Sequence, residues 1–233
     1  EINGLLIDGP ALLGERAAVA GYTRQGSRSV GGHAQLVKSA DKPICINFAR
    51  PDDLRLIPAW LQEEINPDNR AKLLSSLKKY ESQRLMEQAD LLGIPLGVPD
   101  TEEYEYPAHL IEGKPSKKRA ETTLVIEFGS LWASPLCGDL LRRSGCRVIK
   151  IESLSRPDGA RRGAPGFFDL LNGGKESLSV DFNDDKSLEF LKKILKEADV
   201  IIEGSRPRAL RQLGIDAETE VENGKVWDSI TGY

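Results

Sequence analysis

Apolar strands alternate with helical segments through residues 121–230, and this alternation constrains the fold more than any other feature of the sequence. The strand segments are apolar at nearly every position, as in LVIEF and DVIIE, rather than at every second position. Strands of this kind are typical of a parallel sheet with helices on both faces. The predicted elements are strands at 124–128, 146–152, 177–182, 199–203 and 225–230, and helices at 135–145, 186–198 and 207–214. We therefore predict an α/β fold with a Rossmann-like parallel sheet.

The residues before this segment have a different pattern, which is typical of a small α+β domain. The elements predicted there are a hairpin with strands at 34–38 and 43–49, and helices at 10–21, 51–61, 69–79 and 80–92. Residues 99–120 combine prolines with an acidic run and a basic run, a composition that buries little apolar surface and favours a linker. A chain of 233 residues has room for two domains. We predict a small α+β domain at 1–98, a linker at 99–120 and the Rossmann-like domain at 121–233.

Composition argues against several classes of function. The net charge of −4 gives no basic face of the kind that nucleic-acid binders carry. No apolar run approaches the roughly 20 residues that a membrane span needs. The three cysteines, Cys45, Cys137 and Cys146, form no C-x-x-C pair and suggest neither a disulfide framework nor a zinc site. We expect a cytoplasmic protein without a metal.

Ligands of open parallel sheets bind beyond the carboxyl ends of the strands, so the loops at 129–135, 152–176, 183–185 and 204–207 are the candidate site. The first loop has Gly129 but lacks the further glycines of a dinucleotide fingerprint, which disfavours NAD. The run Gly173-Gly174-Lys175 is followed by Glu176 rather than by Ser or Thr, so it is not a phosphate-binding P-loop. Neither nucleotide motif identifies the ligand.

A series of motifs does suggest a ligand for these loops. VIKIE (148–152) is followed by NGGKESLSVD (172–181), then by ADVIIE (198–203) and by an R-P-x-x-L-x-x-L-G segment (206–214). In this order and spacing the series resembles the family III CoA transferases, the CaiB/BaiF group. The closing SITGY (229–233) is similar to a strand and turn of that family. The resemblance implies a fragment that spans a small domain and the start of a Rossmann-like, CoA-binding half.

The resemblance also implies which residues would bind coenzyme A. They lie in or next to the loops named above, and they are Trp132, Ala133, Ser153, Lys175, Val180, Asp181, Asn183, Gly204, Ser205 and Arg206. Lys175 and Arg206 are the cationic candidates for a phosphate, since Arg has a fork that matches phosphate oxygens. This sequence departs from the family pattern at Ser134, at Gly204-Ser205 and at Gln212, where the family usually has Gly, Asn-Phe and Arg.

The implied activity is the transfer of CoA between an acyl-CoA and a small carboxylic acid. In this family an aspartate attacks the thioester, which is covalent catalysis by a carboxylate. That aspartate lies downstream of the SITGY turn, so we identify no catalytic residue in this sequence and expect the fragment alone to be inactive. The alternatives are an acyl-CoA racemase or isomerase of the same family, and a degenerate half that serves as an assembly module. The family also implies a homodimer.

Overall fold

The computed structural model describes residues 6–99, 110–114, 121–164, 166–205 and 208–230. The chain divides into two units, one of residues 21–108 and one that joins residues 1–20 to residues 109–233. Helix α1, Gly9–Val19, thus groups with the second unit, where the Arg16 guanidinium lies 5.7 Å from the centre of the Phe167 ring. The predicted linker falls largely outside the described residues, and the predicted domain boundaries stay a prediction.

The small unit forms around a three-stranded antiparallel sheet of order β1-β2-β3. Its elements are β1 Ala34–Lys38, β2 Pro43–Asn47, α2 Pro51–Arg55, α3 Ile57–Leu61, α4 Arg70–Leu77, α5 Ser82–Leu92 and β3 Leu96–Gly97. The predicted hairpin is confirmed, with Ala34 opposite Asn47. The single helix predicted over 51–61 is wrong. Two short helices occupy this range because Pro58 lacks the N–H group that a continuous helix would donate to the carbonyl four residues earlier.

The second unit, here called the α/β unit, contains a five-stranded sheet of order β6-β5-β4-β7-β8. Its elements after α1 are β4 Leu124–Phe128, α6 Ala133–Arg143, β5 Arg147–Ser153, a 3-10 turn Gly159–Arg162, α7 Phe167–Asn172, β6 Glu176–Val180, α8 Asp185–Glu197, β7 Val200–Glu203, α9 Arg208–Gln212, α10 Ala217–Glu222 and β8 Val226–Ser229. All neighbouring strands are parallel. The predicted fold class is confirmed. The sequence analysis did not predict the 3-10 turn, α7 or α10, which are short.

Both faces of this sheet are buried, which explains the continuous apolar strands. On one face, Ile126 and Ile201 pack with Leu191 of α8. On the other face, Val125 packs with Ile202. Because successive side chains of a strand point to opposite faces, neighbours such as Val125 and Ile126 are both apolar.

The strand order places a topological switch point between β4 and β7. From β4 the chain goes to β5 and β6 on one side, and β7 and β8 lie on the other side. The loops after β4 and β7 therefore lead in opposite directions and leave a crevice at the carboxyl ends of these two strands. This is the place where open α/β sheets bind ligands.

Candidate functional site

The two loops at the switch point approach each other through Ser134, in the first turn of α6. A Cβ atom placed on Gly129, after β4, would overlap the Ser134 side chain, and so would a Cβ atom placed on Gly204, after β7. Both positions therefore require glycine while Ser134 is present. Ser134 was noted in the sequence only as a departure from the family pattern, and the structure places it at the centre of the crevice.

Trp132 and Ala133, two of the predicted coenzyme residues, lie on the same crevice. Ala133 is exposed at the first position of α6. Trp132 is half-buried and packs against the cluster of Ala160, Phe167 and Leu171. Part of the Trp132 surface is thus used for packing, and its neighbours Leu131 and Ala133 are exposed.

Buried ion pairs between side chains position the loops after β4 and β5. Lys150 Nζ lies 3.2 Å from Glu127 Oε1 and 3.0 Å from Asp158 Oδ2, and all three side chains are at most 1% exposed. The same ammonium group donates to the carbonyl oxygen of Gly129 at 2.7 Å. Lys150 on β5 therefore fixes the start of the loop after β4, next to the crevice.

Asp158 extends this connection to Leu131. Its Oδ1 accepts hydrogen bonds from the backbone N–H groups of Leu131, at 3.0 Å, and Ala160, at 2.9 Å. Leu131 has a φ of 68°, a left-handed conformation that is costly for a residue with a side chain. Burial opposes ionisation of Asp158, but the two N–H groups and Lys150 hold the pKa of Asp158 below its ordinary value. The carboxylate thus stabilises a strained turn beside Trp132.

Lys175, which was predicted as a cationic candidate for a phosphate, is engaged within the protein. Its Nζ donates to Glu127 Oε2 at 2.6 Å, to the Pro135 carbonyl at 2.7 Å and to Asn172 Oδ1 at 3.0 Å. These bonds use all three donors of the ammonium group, and the side chain is 1% exposed. Burial lowers the pKa of Lys175, while the charge of Glu127 opposes that shift. The sequence did not reveal this pairing, because Glu127 lies 48 residues earlier and meets Lys175 only in the folded sheet.

Glu152, at the end of β5, is also engaged within the protein. Its Oε2 lies 2.6 Å from Arg161 Nη2, and its Oε1 accepts from the backbone N–H of Asp158 at 2.9 Å. The hydrogen bonds from Arg161 lower the pKa of Glu152 against the effect of burial. The Arg161 guanidinium in turn lies 3.8 Å from the centre of the Phe168 ring. The Glu152–Arg161 ion pair thus connects the end of β5 to the loop that follows it.

Four predicted residues meet at the carboxyl ends of β5 and β6. Ser153 is the register partner of Val180, and the Val180 side chain is buried in the core. Asp181 Oδ1 accepts the backbone N–H of Asn183 at 3.0 Å, which forms the turn after β6. Ser153 Oγ lies 3.1 Å from Ser155 Oγ. The structure thus brings this group together on one edge of the sheet.

Glu203, which the sequence analysis did not single out as a site residue, is buried at the end of β7. It accepts hydrogen bonds from Ser205 Oγ at 3.2 Å and from Trp227 Nε1 at 3.0 Å. Burial raises the pKa of Glu203, although both hydrogen bonds favour the ionised form. Ser205 is therefore tied to the strand end. Arg206, the next predicted residue, lies outside the described residues.

The sequence held a weak signal for the groups that it missed. Glu127, Lys150, Glu152 and Glu203 interrupt otherwise apolar strands, and charged residues are rarely buried unless they are paired. No helix within the described ranges is long and apolar enough to cross a membrane. Nor does any group of three or more His, Cys, Asp and Glu residues among them have a metal-binding arrangement.

The chain is similar to solved structures and to characterised enzymes over about half of its length. A CaiB/BaiF family protein from Brucella suis is 30% identical, with a TM-score of 0.42, and the match covers 48% of this chain and 32% of that one. (R)-2-hydroxy-4-methylpentanoate CoA-transferase of Clostridioides difficile is 32% identical over 126 residues, which cover 48% of this chain and 31% of the relative. Cinnamoyl-CoA:phenyllactate CoA-transferase of Clostridium sporogenes is 33% identical over 122 residues, with coverages of 47% and 29%.

The chain thus spans about a third of the length of these curated relatives. Formyl-CoA:oxalate CoA-transferase of Escherichia coli O6:H1 gives the same picture, with 30% identity over 118 residues and 28% of its length covered. The sequence model of CoA-transferase family III matches residues 121–225, which contain strands β4 to β7 and every crevice residue described above. Residues 121–225 of this chain therefore belong to CoA-transferase family III.

Proposed function

We propose that the α/β unit binds coenzyme A, free or as an acyl thioester, and that the protein transfers CoA between an acyl-CoA and a small carboxylic acid. The observation that carries this proposal is the switch point between β4 and β7. It lies inside the segment that matches the family, and four residues that the resemblance implies for coenzyme binding meet there: Trp132, Ala133, Gly204 and Ser205. The relatives of this segment bear the names of CoA transferases.

The remaining coenzyme contacts are proposed along the carboxyl edge of the sheet. Ser153, Asp181 and Asn183 offer hydroxyl, carboxylate and amide groups beside the buried Val180, a setting that suits the adenine end. Arg206 is the proposed phosphate ligand. Lys175 is withdrawn from this set, because its three donors are used by protein oxygens.

The proposed reaction passes through an aspartyl nucleophile, which we assign to no residue of this sequence. Asp158 is unsuited to that role, because its carboxylate already accepts two backbone N–H groups and pairs with Lys150. We expect this chain alone to bind the coenzyme without turnover. A homodimer and a cytoplasmic location belong to the same proposal and rest on the family resemblance and on the cysteine pattern.

Calorimetric titration of this chain with coenzyme A and with an acyl-CoA tests the proposal. Ala133→Glu places a bulky anion at the mouth of the crevice, where it would repel the coenzyme phosphates. An acidic residue in the first turn of a helix is favourable for stability, so the variant is expected to stay folded and to lose most of the affinity. Ala71→Glu, in the exposed first turn of α4, is the matched control and should leave binding unchanged.

Absence of binding by the unaltered chain would contradict the proposal, and so would equal binding by the Ala133→Glu variant. A second candidate function, an assembly module without coenzyme binding, is favoured by the internal pairing of Lys175. It predicts that the full-length protein binds CoA only outside this α/β unit. The same Ala133→Glu substitution in the full-length protein separates the two candidates.

A further inference from the structure

Gln35 of β1 is a polar residue on the apolar face of the small sheet. Its register partner on β2 is Ile46. Val37, two residues later on the same face of β1, is the partner of Ile44, and all three of these apolar side chains belong to the core of the small unit. Gln35 Oε1 is buried and has no hydrogen-bond partner among the described residues. Native proteins seldom leave such an atom unpaired, so we expect water or a ligand to supply the donor.

The Gln35 side chain lines a cavity that lies within the small unit and is here called the β1–α4 cavity. Its volume is about 70 Å³, roughly half of the space that holds a benzene ring in an engineered apolar cavity. By that comparison it has room for about three non-hydrogen atoms of an alkyl chain. Most of the wall is apolar and comes from Ile46, Phe48, Leu54, Leu73 and Leu74.

Two arginines lie beside this cavity without a carboxylate partner. Arg70, the first residue of α4, is part of the cavity wall. Arg28 is bridged to Gln35 at the edge of the sheet, which places its side chain on the same face as the Gln35 amide. Partial burial, and after it the like charge of Arg28, lower the pKa of Arg70. Within the described part of the chain neither guanidinium forms an ion pair, so an anion between them would relieve their repulsion.

These groups restrict the chemistry of a ligand. A guanidinium has a planar fork of donors that matches a carboxylate. The carbonyl oxygen of Gln35 can only accept, so the ligand has to bring an O–H or N–H group. Because Arg28 and Gln35 lie opposite each other, a ligand reaches both when its donor and its carboxylate are on neighbouring atoms. A short alkyl chain would fill the apolar wall.

We propose that the β1–α4 cavity binds a small organic acid that carries a hydrogen-bond donor on the carbon next to its carboxylate. A 2-hydroxy acid and an N-acylated amino acid share this chemistry. The carboxylate lies at Arg70 and Arg28, the donor bonds Gln35 Oε1, and the alkyl chain enters the cavity. This site shares no residue with the crevice at the switch point and does not depend on coenzyme binding there.

Nuclear magnetic resonance titrations of this chain without coenzyme A test the proposal, with the methyl signals of Ile46 and Leu73 as reporters of the cavity. The two complete probes are 2-hydroxybutanoate and N-acetyl-2-aminobutanoate, while butanoate lacks the donor and 2-hydroxybutanamide lacks the charge. Butanoate should bind about three- to tenfold more weakly than the better complete probe. The uncharged amide should bind about tenfold or more weakly than 2-hydroxybutanoate. The preference between the complete probes identifies the ligand as a hydroxy acid or an acylated amino acid.

Substitutions assign the binding to the named side chains. Gln35→Leu removes the acceptor and suits the apolar face, so the variant should stay folded and bind the complete probes no better than butanoate. Arg70→Met should weaken the binding of all three acids about tenfold. Lys72→Met removes an exposed charge of the same helix and is the matched control, which should leave every affinity unchanged. Melting temperatures check the fold of each variant.

Three results would overturn the inference. If no probe shifts the methyl signals of Ile46 and Leu73, the cavity holds only water, and the proposed coenzyme binding is unaffected. If Gln35→Leu keeps the preference for the complete probes, their donor does not bond Gln35. If Lys72→Met weakens binding as much as Arg70→Met does, the acids are attracted only by the general positive charge of this surface.

Discussion

The small unit and the α/β unit bury different kinds of side chain. The interior of the small unit is an apolar cluster around Ile44, Trp60 and Leu77. Its buried carboxylate Asp53 pairs with Arg50, whose side chain is 61% exposed. In the small unit the guanidinium group of this ion pair therefore stays in contact with water.

The α/β unit instead buries both members of its ion pairs. Lys150 and Lys175 bracket Glu127, and Lys150 also reaches Asp158, with no side chain of the four more than 1% exposed. Removing charges from water is costly, and the attraction between them offsets this only with good geometry. Lys150 also donates to the carbonyl oxygen of Gly129, which follows β4 beside the crevice. The comparison shows that the α/β unit uses buried charge to fix loop positions, whereas the small unit relies on apolar packing.

The largest effect is expected from removing the cation at the centre of the ion network. Lys150→Met leaves two buried carboxylates without their shared partner, and this should reduce the free energy of unfolding of the α/β unit by about 3–5 kcal/mol. Urea denaturation measures the change. Arg50→Met, the corresponding deletion in the small unit, should have a much smaller effect because its guanidinium is exposed. Equal effects of the two substitutions would remove the distinction between the units.

An intermediate effect is expected at the glycine of the crevice. Gly204→Ala should destabilise the α/β unit by about 1–3 kcal/mol, because the new Cβ overlaps Ser134. The double variant with Ser134→Gly should recover most of that loss, which a double-mutant cycle measures as coupling. Gly14→Ala in α1, where a Cβ meets no atom, is the control and should stabilise the protein slightly. Additive losses at 134 and 204 would show that the two loops do not meet as described.

The smallest effect concerns the pH dependence of Glu203. Because burial raises its pKa in the folded state, its contribution to stability is fully present below the unfolded pKa and is lost as the pH rises through the folded value. Glu203→Gln, which stays neutral, should therefore gain stability relative to the unaltered chain between pH 4 and pH 7, about 1 kcal/mol or less. Denaturant titrations at the two pH values measure this difference. Glu218→Gln, at an exposed position of α10, should show no such gain, and the same gain in both variants would contradict the assignment to Glu203.

Local patterns were enough to predict most of the elements and the sheet type. The strands from 124 to 230 were found because each is a short apolar run, and parallel pairing followed from the helices between them. The same local patterns predicted a single helix where α2 and α3 lie, and they did not predict α7 and α10. Helices of five or six residues have too little periodicity to be read from a sequence, and tertiary contacts stabilise them.

The predicted coenzyme site stays a prediction, and the sequence did not indicate which charged side chains beside it pair with each other. Lys175 was chosen for its charge and its place at a strand start, but the register of β4, β5 and β6 turns it towards Glu127. Ser134 and Glu203 could not be ranked as site residues, because their burial depends on loops that come from distant parts of the chain.

The sequence by itself determined the α/β class, the order of strands and helices, and the family of residues 121–225, because these depend on local apolar runs and on short motifs. Only the tertiary structure decided which charges neutralise each other. Lys150 lies 23 residues from Glu127 along the chain, and Lys175 lies 48 residues from it. Such pairs form only when parallel strands align in register and burial makes an unpaired charge too costly. Tertiary structure likewise decided that a serine between two glycines, rather than a lysine, lies at the centre of the crevice.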